Sequence, residues 1–149
     1  MEPSNLLVPM DGSPLSKQAL SIALDEYPDS TITVLHVIDP TQAGYSYPIE
    51  FDLDTEPLHG SKEWYERSEE LAGQLFDEVA ETASEYDRAV ETETAVGEPG
   101  RAIVEFASQS NVDQIIIGSH GRKDEEQQLL GTVTETVVFR SPTRVLLIR

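Results

Sequence analysis

Residues 5–14, NLLVPMDGSP, have the pattern of a buried strand that passes directly into a helix. The near-continuous apolar run over 5–10 is typical of a strand covered on both faces, as in a parallel sheet. Ser13 stands where a helix cap is expected, and Pro14 would be the first helical residue, where the missing N–H of proline does no harm. A strand followed at once by a helix is the repeating unit of an α/β fold.

Four further strand patterns follow along the chain, at 31–38, 89–96, 113–119 and 143–149. Three of them are near-continuous apolar runs, whereas 89–96 alternates with glutamates and predicts a half-exposed edge strand. Helical patterns separate the strands. The longest covers about 59–86, another begins at Pro99, and Thr132 to Glu135 has the form of a capping box that opens the last one. The sequence therefore predicts one domain over 1–149, an open parallel five-stranded sheet with helices on both faces.

The charge composition excludes several classes of partner. Twenty-eight acidic residues face ten basic ones, which gives a formal net charge of −18. Such a surface repels nucleic acid and anionic membranes, and no apolar run approaches the ~20 residues of a membrane span. An acidic, lysine-poor chain without a signal-peptide pattern predicts a cytoplasmic protein of a halophilic organism, where salt screens the self-repulsion.

The cysteine and histidine content of the chain argues against thiol chemistry and against a metal site. The chain has no cysteine, so disulfides, thiolate catalysis and cysteine–zinc sites are excluded. The three histidines, His36, His59 and His120, are scattered without metal-ligand spacing. We therefore expect no metal site built from protein residues alone.

Three strand ends carry unusual polar or glycine-containing segments, at 8–13, 36–39 and 118–123. In open α/β sheets, ligands bind at the carboxyl ends of the strands. Neither the dinucleotide fingerprint GxGxxG after the first strand nor the Walker motif GxxxxGK[ST] is present.

The pattern that remains is Gly118-x2-Gly121-x9-Gly131-Thr132. Glycines at 118 and 121 would let backbone N–H groups approach an anion, and Gly131-Thr132 would add the N–H groups of a helix N-terminus. Each feature alone has a plainer explanation as a turn or a cap, and the same holds for Asp11 after the first strand. Their combination favours a phosphate site.

These segments resemble those of the universal stress protein family, of the single-domain type that binds ATP. The resemblance covers essentially the whole chain and rests on VPMDGS at 8–13, LHVID at 35–39 and GSHGR…LLGTVT…SP…VLLIR between 118 and 149. The G-x2-G-x9-G-[ST] spacing marks the ATP-binding branch of that family. The resemblance implies a Rossmann-like sheet of strand order 3-2-1-4-5 and a nucleotide-binding regulatory protein of the stress response.

The resemblance also implies positions for the nucleotide. Adenine would meet the backbone of Val37, and the end of the first strand would contact the nucleotide through Pro9 and Asp11. Ribose and phosphates would lie against two segments, Gly118, Ser119, His120, Gly121, Arg122 and Lys123 and then Gly131, Thr132, Val133 and Thr134. Mg²⁺ or Mn²⁺ would accompany the phosphates, with Asp11 as the one candidate ligand from the protein.

A homodimer through the strand at 143–149 is also implied, and an apolar edge strand at a chain end does need a partner. Two other functions stay open. One is a slow ATPase in which Asp11 and Lys123 act on the phosphates, although no base or arginine finger is evident from the spacing. The other is an interaction protein that holds partners through the long loop at 39–58 and leaves the pocket empty. The residues do not decide between ATP and AMP.

Three acidic residues, Asp124, Glu125 and Glu126, stand inside the glycine-containing stretch. We expect this connector to point its carboxylates to water, because at ~4 Å in water two charges interact by only about 1 kcal/mol. Neutralising all three should then tighten ATP binding modestly, chiefly at low salt.

Overall fold

The computed structural model describes residues 2–40, 58, 60–121 and 130–149. Strands and helices alternate in the order β1 (Asn5–Pro9), α1 (Pro14–Glu26), β2 (Thr31–Ile38), α2 (Lys62–Glu85), β3 (Glu91–Val96), α3 (Pro99–Gln109), β4 (Gln114–Gly118), α4 (Thr132–Arg140) and β5 (Arg144–Ile148). All neighbouring strands pair in parallel, and their order across the sheet is β3-β2-β1-β4-β5. The predicted α/β fold and its strand order are confirmed.

The centre of the sheet is the place where the direction of winding reverses. From β1 the chain winds outward through β2 to β3 and then crosses back to β4, which pairs with the other side of β1 at Leu6↔Gln114 and Leu7↔Ile115. The loops that follow β1 and β4 therefore leave the sheet toward opposite faces. In open α/β sheets this arrangement leaves a crevice beyond the strand ends, which is the usual ligand position.

Alternate residues of the central strand pack into two core clusters, one on each face of the sheet. Leu6 and Val8 join residues of α1 and α2, whereas Leu7 joins residues of α3 and α4. Each of the three is at most 1% exposed. Burial on both faces explains why the strand is an uninterrupted apolar run rather than an alternating one.

The first helix begins as its sequence predicts, and a residue distant in the chain binds its other end. Ser13 is the N-cap, and its Oγ accepts a hydrogen bond from the N–H of Ser16 at 3.3 Å, with proline as the first helical residue. At the other end, the Arg88 guanidinium donates to the carbonyl oxygens of Leu24 and Tyr27 at 3.1 and 2.9 Å. These bonds satisfy carbonyl groups that have no partner within the helix.

Two local predictions are wrong. Thr132 does not begin a capping box, because Gly131 is the N-cap of α4 and Thr132 is already its first helical residue. Strand β3 is also more exposed than its alternation predicts: Thr92 and Thr94 are exposed, Val96 is 59% exposed, and Ala95 on the opposite face is the residue that packs against a core cluster. The alternation could not show which face the helices cover, because an outermost strand is covered only where a neighbouring helix reaches it.

The predicted loop at 39–58 and the acidic connector lie largely or wholly outside the described residues. Within the part of the chain that is described, no helix has the length and apolarity needed to cross a membrane.

Candidate functional site

A cavity of about 250 Å³ opens at the carboxyl ends of β1 and β4. Its volume is just below the range of roughly 300–1,000 Å³ that is usual for small-molecule sites. The lining residues come from these two strand ends and from the first two turns of α1, α3 and α4: Pro9, Met10, Asp11, Ser13, Ser16, Glu98, Pro99, Gly100, Ile103, Ile117, Gly118, His120, Gly121, Thr132, Val133, Thr134 and Thr136. The cavity thus occupies the crevice where the winding of the sheet reverses.

Most residues predicted to bind a nucleotide line this one cavity: Pro9, Asp11, Gly118, His120, Gly121, Thr132, Val133 and Thr134. Ser119 and Gly131 are buried beside lining residues without being part of the lining. Val37 is also outside the lining, since it lies in β2 with its side chain in the core cluster of Leu7. Arg122 and Lys123 lie outside the described residues.

The two ends of the glycine-containing stretch meet in space. The N–H of Gly131 donates to the carbonyl oxygen of Ser119 at 2.8 Å. One turn further, the Thr134 hydroxyl, which is 2% exposed, donates to the carbonyl oxygen of Gly118 at 2.7 Å. The start of α4 is therefore held against the end of β4.

Gly118 has a packing role that the motif did not predict. A Cβ atom at this position would lie 2.6 Å from the Cβ of Leu15 and 3.3 Å from its carbonyl carbon. The optimal separation of two carbon atoms is about 3.5–4.0 Å, so no side chain fits there without displacement. Glycine at 118 lets the end of β4 lie directly against the first turn of α1, which brings that helix to the cavity.

Three helices begin at the cavity, with Ser13, Glu98 and Gly131 as their N-caps. A helix N-terminus carries partial positive charge and backbone N–H groups without intrahelical partners. Of these three helices, only α1 has an N-cap side chain that accepts a hydrogen bond from the helix; the Glu98 side chain accepts none, and Gly131 has no side chain. The amino ends of helices that converge on one cavity favour an anionic ligand there.

Asp11 forms a turn and lines the cavity as well. Its Oδ1 accepts a hydrogen bond from the N–H of Ser13 at 2.9 Å, and the residue is 9% exposed. The turn-forming role and the ligand-contacting role, which were alternatives at the sequence level, are thus compatible in one side chain. Close by, Ser119 Oγ and His120 Nδ1 lie 3.2 Å apart, so the histidine ring is held next to the end of β4.

Sequence reasoning missed one wall of the cavity. Glu98, Pro99 and Gly100, at the start of α3, and Thr136 of α4 line it although they belong to no motif that was singled out. The available signal was the strand-end rule itself, because Glu98 and Pro99 follow the carboxyl end of β3.

The described residues do not form a metal site of their own. Among them, no group of three or more His, Asp or Glu side chains is arranged to hold a metal ion. Asp11 and Glu98 are the carboxylates in the cavity lining. A divalent ion in this cavity would have to take most of its ligands from the bound molecule and water.

The fold and the cavity define the class of protein: a Rossmann-like α/β protein with an anion-favouring cavity between the carboxyl ends of β1 and β4. Comparison with known proteins gives the family. The sequence pattern of the Universal stress protein family matches residues 3–149. One universal stress protein of Methanocaldococcus jannaschii is 30% identical over 153 residues, which cover 97% of this chain and 93% of the relative. The chain belongs to the universal stress protein family.

Two similar structures are named with a nucleotide. A universal stress protein in complex with cAMP superimposes with a TM-score of 0.67 at 21% identity, covering 100% of this chain and 98% of the other. A universal stress protein family protein of Arabidopsis thaliana with AMP bound gives a TM-score of 0.66 at 17% identity, with 98% and 91% covered. At these identities the superpositions establish the shared fold.

Proposed function

We propose that this protein is a nucleotide-binding regulatory protein of the stress response, which binds ATP in the cavity between the ends of β1 and β4. The observation that carries the proposal is the meeting of the two glycine-containing segments, around Gly118–Gly121 and at Gly131, on one cavity. Relatives of the same fold are named with cAMP and AMP, so adenine nucleotides are the ligand class to test.

In this proposal the phosphates lie between the Gly118–Gly121 segment and the first turn of α4. The partial positive charge at the start of α4 stabilises them, and Thr132, Val133 and Thr134 supply the backbone N–H groups. Arg122 and Lys123 follow directly in the chain and would add positive charge near the phosphates.

The base and the sugar occupy the side of the cavity formed by Pro9, Ile103 and Ile117. An adenine contact with the backbone of Val37 then requires the base to extend past these residues toward β2. With ATP, Mg²⁺ or Mn²⁺ would be bound mainly by phosphate oxygens and water, because the described residues form no metal cluster.

We further propose that two copies associate through β5. This strand is an edge of the sheet, and its residues Val145, Leu146 and Leu147 are only partly buried within the single chain. In the preceding helix, Phe139 is 76% exposed and Val138 is 38% exposed. An apolar edge of this kind is stabilised when a second copy covers it. Light scattering should give the mass of two chains, and a single-chain mass at micromolar concentration would rule the dimer out.

Titration calorimetry with Mg-ATP and with AMP at high salt tests the nucleotide site. Wild-type protein is expected to bind, and Gly121→Val is expected to abolish binding, because a branched side chain is introduced at a residue that lines the cavity. Gly73→Val is the matched control, since a Cβ at Gly73 in α2 would meet no atom within 4 Å.

The outcomes separate the alternatives. If the protein binds AMP but not ATP, the proposed ligand becomes the monophosphate instead of the triphosphate. No heat with either nucleotide, or equal binding by wild type and Gly121→Val, would overturn the site and leave the interaction protein as the better hypothesis. A phosphate-release assay on the same samples, compared with Asp11→Ala, would show whether slow hydrolysis accompanies binding.

A further inference from the structure

The start of α3 forms another wall of the cavity, beside α4. Pro99, Gly100 and Ile103 are buried there, and the exposed side chain of Glu98 stands at the rim. The wall follows directly from β3, because the N–H of Gly97 donates to the carbonyl oxygen of Ile38 at 3.0 Å and continues the pairing of β3 with β2.

A close contact with α4 holds this wall in place. A Cβ atom on Gly100 would lie 2.7 Å from the Cβ of Thr136 and 2.8 Å from its Cγ2. Thr136 is one helical turn beyond Thr132, and its hydroxyl donates to the carbonyl oxygen of Thr132 at 3.1 Å. The amino end of α3 therefore packs against the second turn of α4, about 5–6 Å along the helix from the proposed phosphate position.

Glu98 places a negative charge at the amino end of α3, where the helix dipole stabilises it. It is the N-cap of α3, yet its side chain makes no capping hydrogen bond, and glutamate is not among the residues preferred at that position. Within the described ranges, the ion pairs are Lys17 with Glu78 and Lys62 with Glu66, so the Glu98 carboxylate belongs to neither.

The chemistry of a carboxylate limits what can lie beside it. An ionised glutamate only accepts hydrogen bonds, and it repels a phosphate. A ligand suited to both walls must therefore carry an anionic group toward α4 and hydroxyl or amino donors toward α3. A ribonucleotide has this distribution, because the hydroxyls of its sugar lie several ångströms from its phosphate.

We propose that Glu98 is a specificity-determining residue, whose carboxylate accepts a hydrogen bond from a ribose hydroxyl, and that Gly100 is the residue that positions it. The site then selects ribonucleotides over deoxyribonucleotides. This inference rests on the proposed nucleotide site and adds the recognition of the sugar.

The test compares calorimetric affinities for AMP, 2′-deoxy-AMP and 3′-deoxy-AMP. Wild type is expected to bind AMP about tenfold tighter than at least one deoxy analogue, as loss of one hydrogen bond to a charged group predicts. In Glu98→Ala that ratio falls to about one, while the deoxy analogue binds equally well or better, because a repelling charge is gone. Glu105→Ala is the matched control, since it removes an exposed carboxylate from the same helix outside the cavity lining.

Gly100→Ala tests the positioning role. The added Cβ is expected to move α3 away from α4 and to lower the preference for ribose. The double variant Gly100→Ala/Thr136→Gly should restore that preference, because it removes the Thr136 side chain that the new Cβ would overlap. Thermal melting of each variant separates lost folding from lost recognition. A preference that persists in Gly100→Ala would overturn the positioning role.

The results also distinguish failure of this inference from failure of the nucleotide site. If wild type binds AMP and both deoxy analogues equally, or if Glu98→Ala keeps the wild-type ratio, Glu98 does not read the sugar and the nucleotide site stands. If wild type binds no adenine nucleotide, both proposals are wrong.

Discussion

The two walls of the cavity differ in how they arise from the chain. The wall at β4 and α4 comes from two segments close together in the chain, Gly118–Gly121 and Gly131–Thr134, which are joined by hydrogen bonds from Gly131 and Thr134. The wall at the start of α3 is assembled by packing, through the contact of Gly100 with Thr136. A contiguous wall can be recognised as a motif, whereas an assembled wall becomes visible only when the helices are placed against each other.

The largest expected effect is on the contiguous wall, at Gly118. Gly118→Ala should lower the free energy of unfolding by about 2–3 kcal/mol, because its Cβ would overlap the Cβ of Leu15 and overpacking of a core has costs of this size. Chemical denaturation of the variant and of Gly73→Ala measures the difference. A variant as stable as wild type would mean that the end of β4 and the first turn of α1 are not in close contact.

The second prediction concerns the hydrogen bond that joins the two ends of that wall. Thr134→Val keeps the shape of the side chain but leaves the buried carbonyl of Gly118 without this donor, at an expected loss of about 1–2 kcal/mol of stability. Thr136→Val is the control, because its hydroxyl bonds to Thr132 within the same helix and is expected to change stability by less than about 0.5 kcal/mol. Equal losses in the two variants would contradict a special role for Thr134.

The third prediction compares Gly100, in the assembled wall, with Gly73, a helical residue with free space around its Cβ position. Gly73→Ala should stabilise the protein by about 0.5–1 kcal/mol, since alanine favours helix and nothing lies near its Cβ. Gly100→Ala should instead destabilise it by about 1 kcal/mol, because the overlap with Thr136 exceeds the gain in helix propensity. Equilibrium denaturation of both variants checks the opposite signs, and stabilisation by both would show that α3 and α4 are not in close contact.

The smallest expected effect belongs to the acidic connector, which lies between the two segments of that wall in the sequence. Replacing Asp124, Glu125 and Glu126 by Asn, Gln and Gln should tighten ATP binding by about two- to threefold at low ionic strength, because solvated charges interact weakly. At high salt the difference should disappear. Titrations at two salt concentrations measure both. Loss of binding in the variant would instead identify these acids as metal ligands.

The comparison of the walls also explains which predictions from the sequence succeeded. The first strand and the Ser13 cap were predicted correctly, because burial on both faces and a capping hydrogen bond leave a local pattern. The cap at Thr132 and the extent to which β3 is buried were predicted wrongly. Glycine is a competent N-cap without a side-chain signal, and the cover over an edge strand comes from residues far away in the chain.

The amino-acid sequence by itself determined the order of strands and helices and the family. It also indicated that the ends of the glycine-containing stretch belong to one site. These features follow from periodicity and from residues close together in the chain. Only the tertiary structure decided three other features. Leu15 leaves no room for a side chain at position 118, glycine at position 100 lets α3 pack closely against α4, and Glu98 lies at the rim of the same cavity. The physical reason is that close packing depends on the distance between atoms of separate elements, and no local sequence pattern contains that distance.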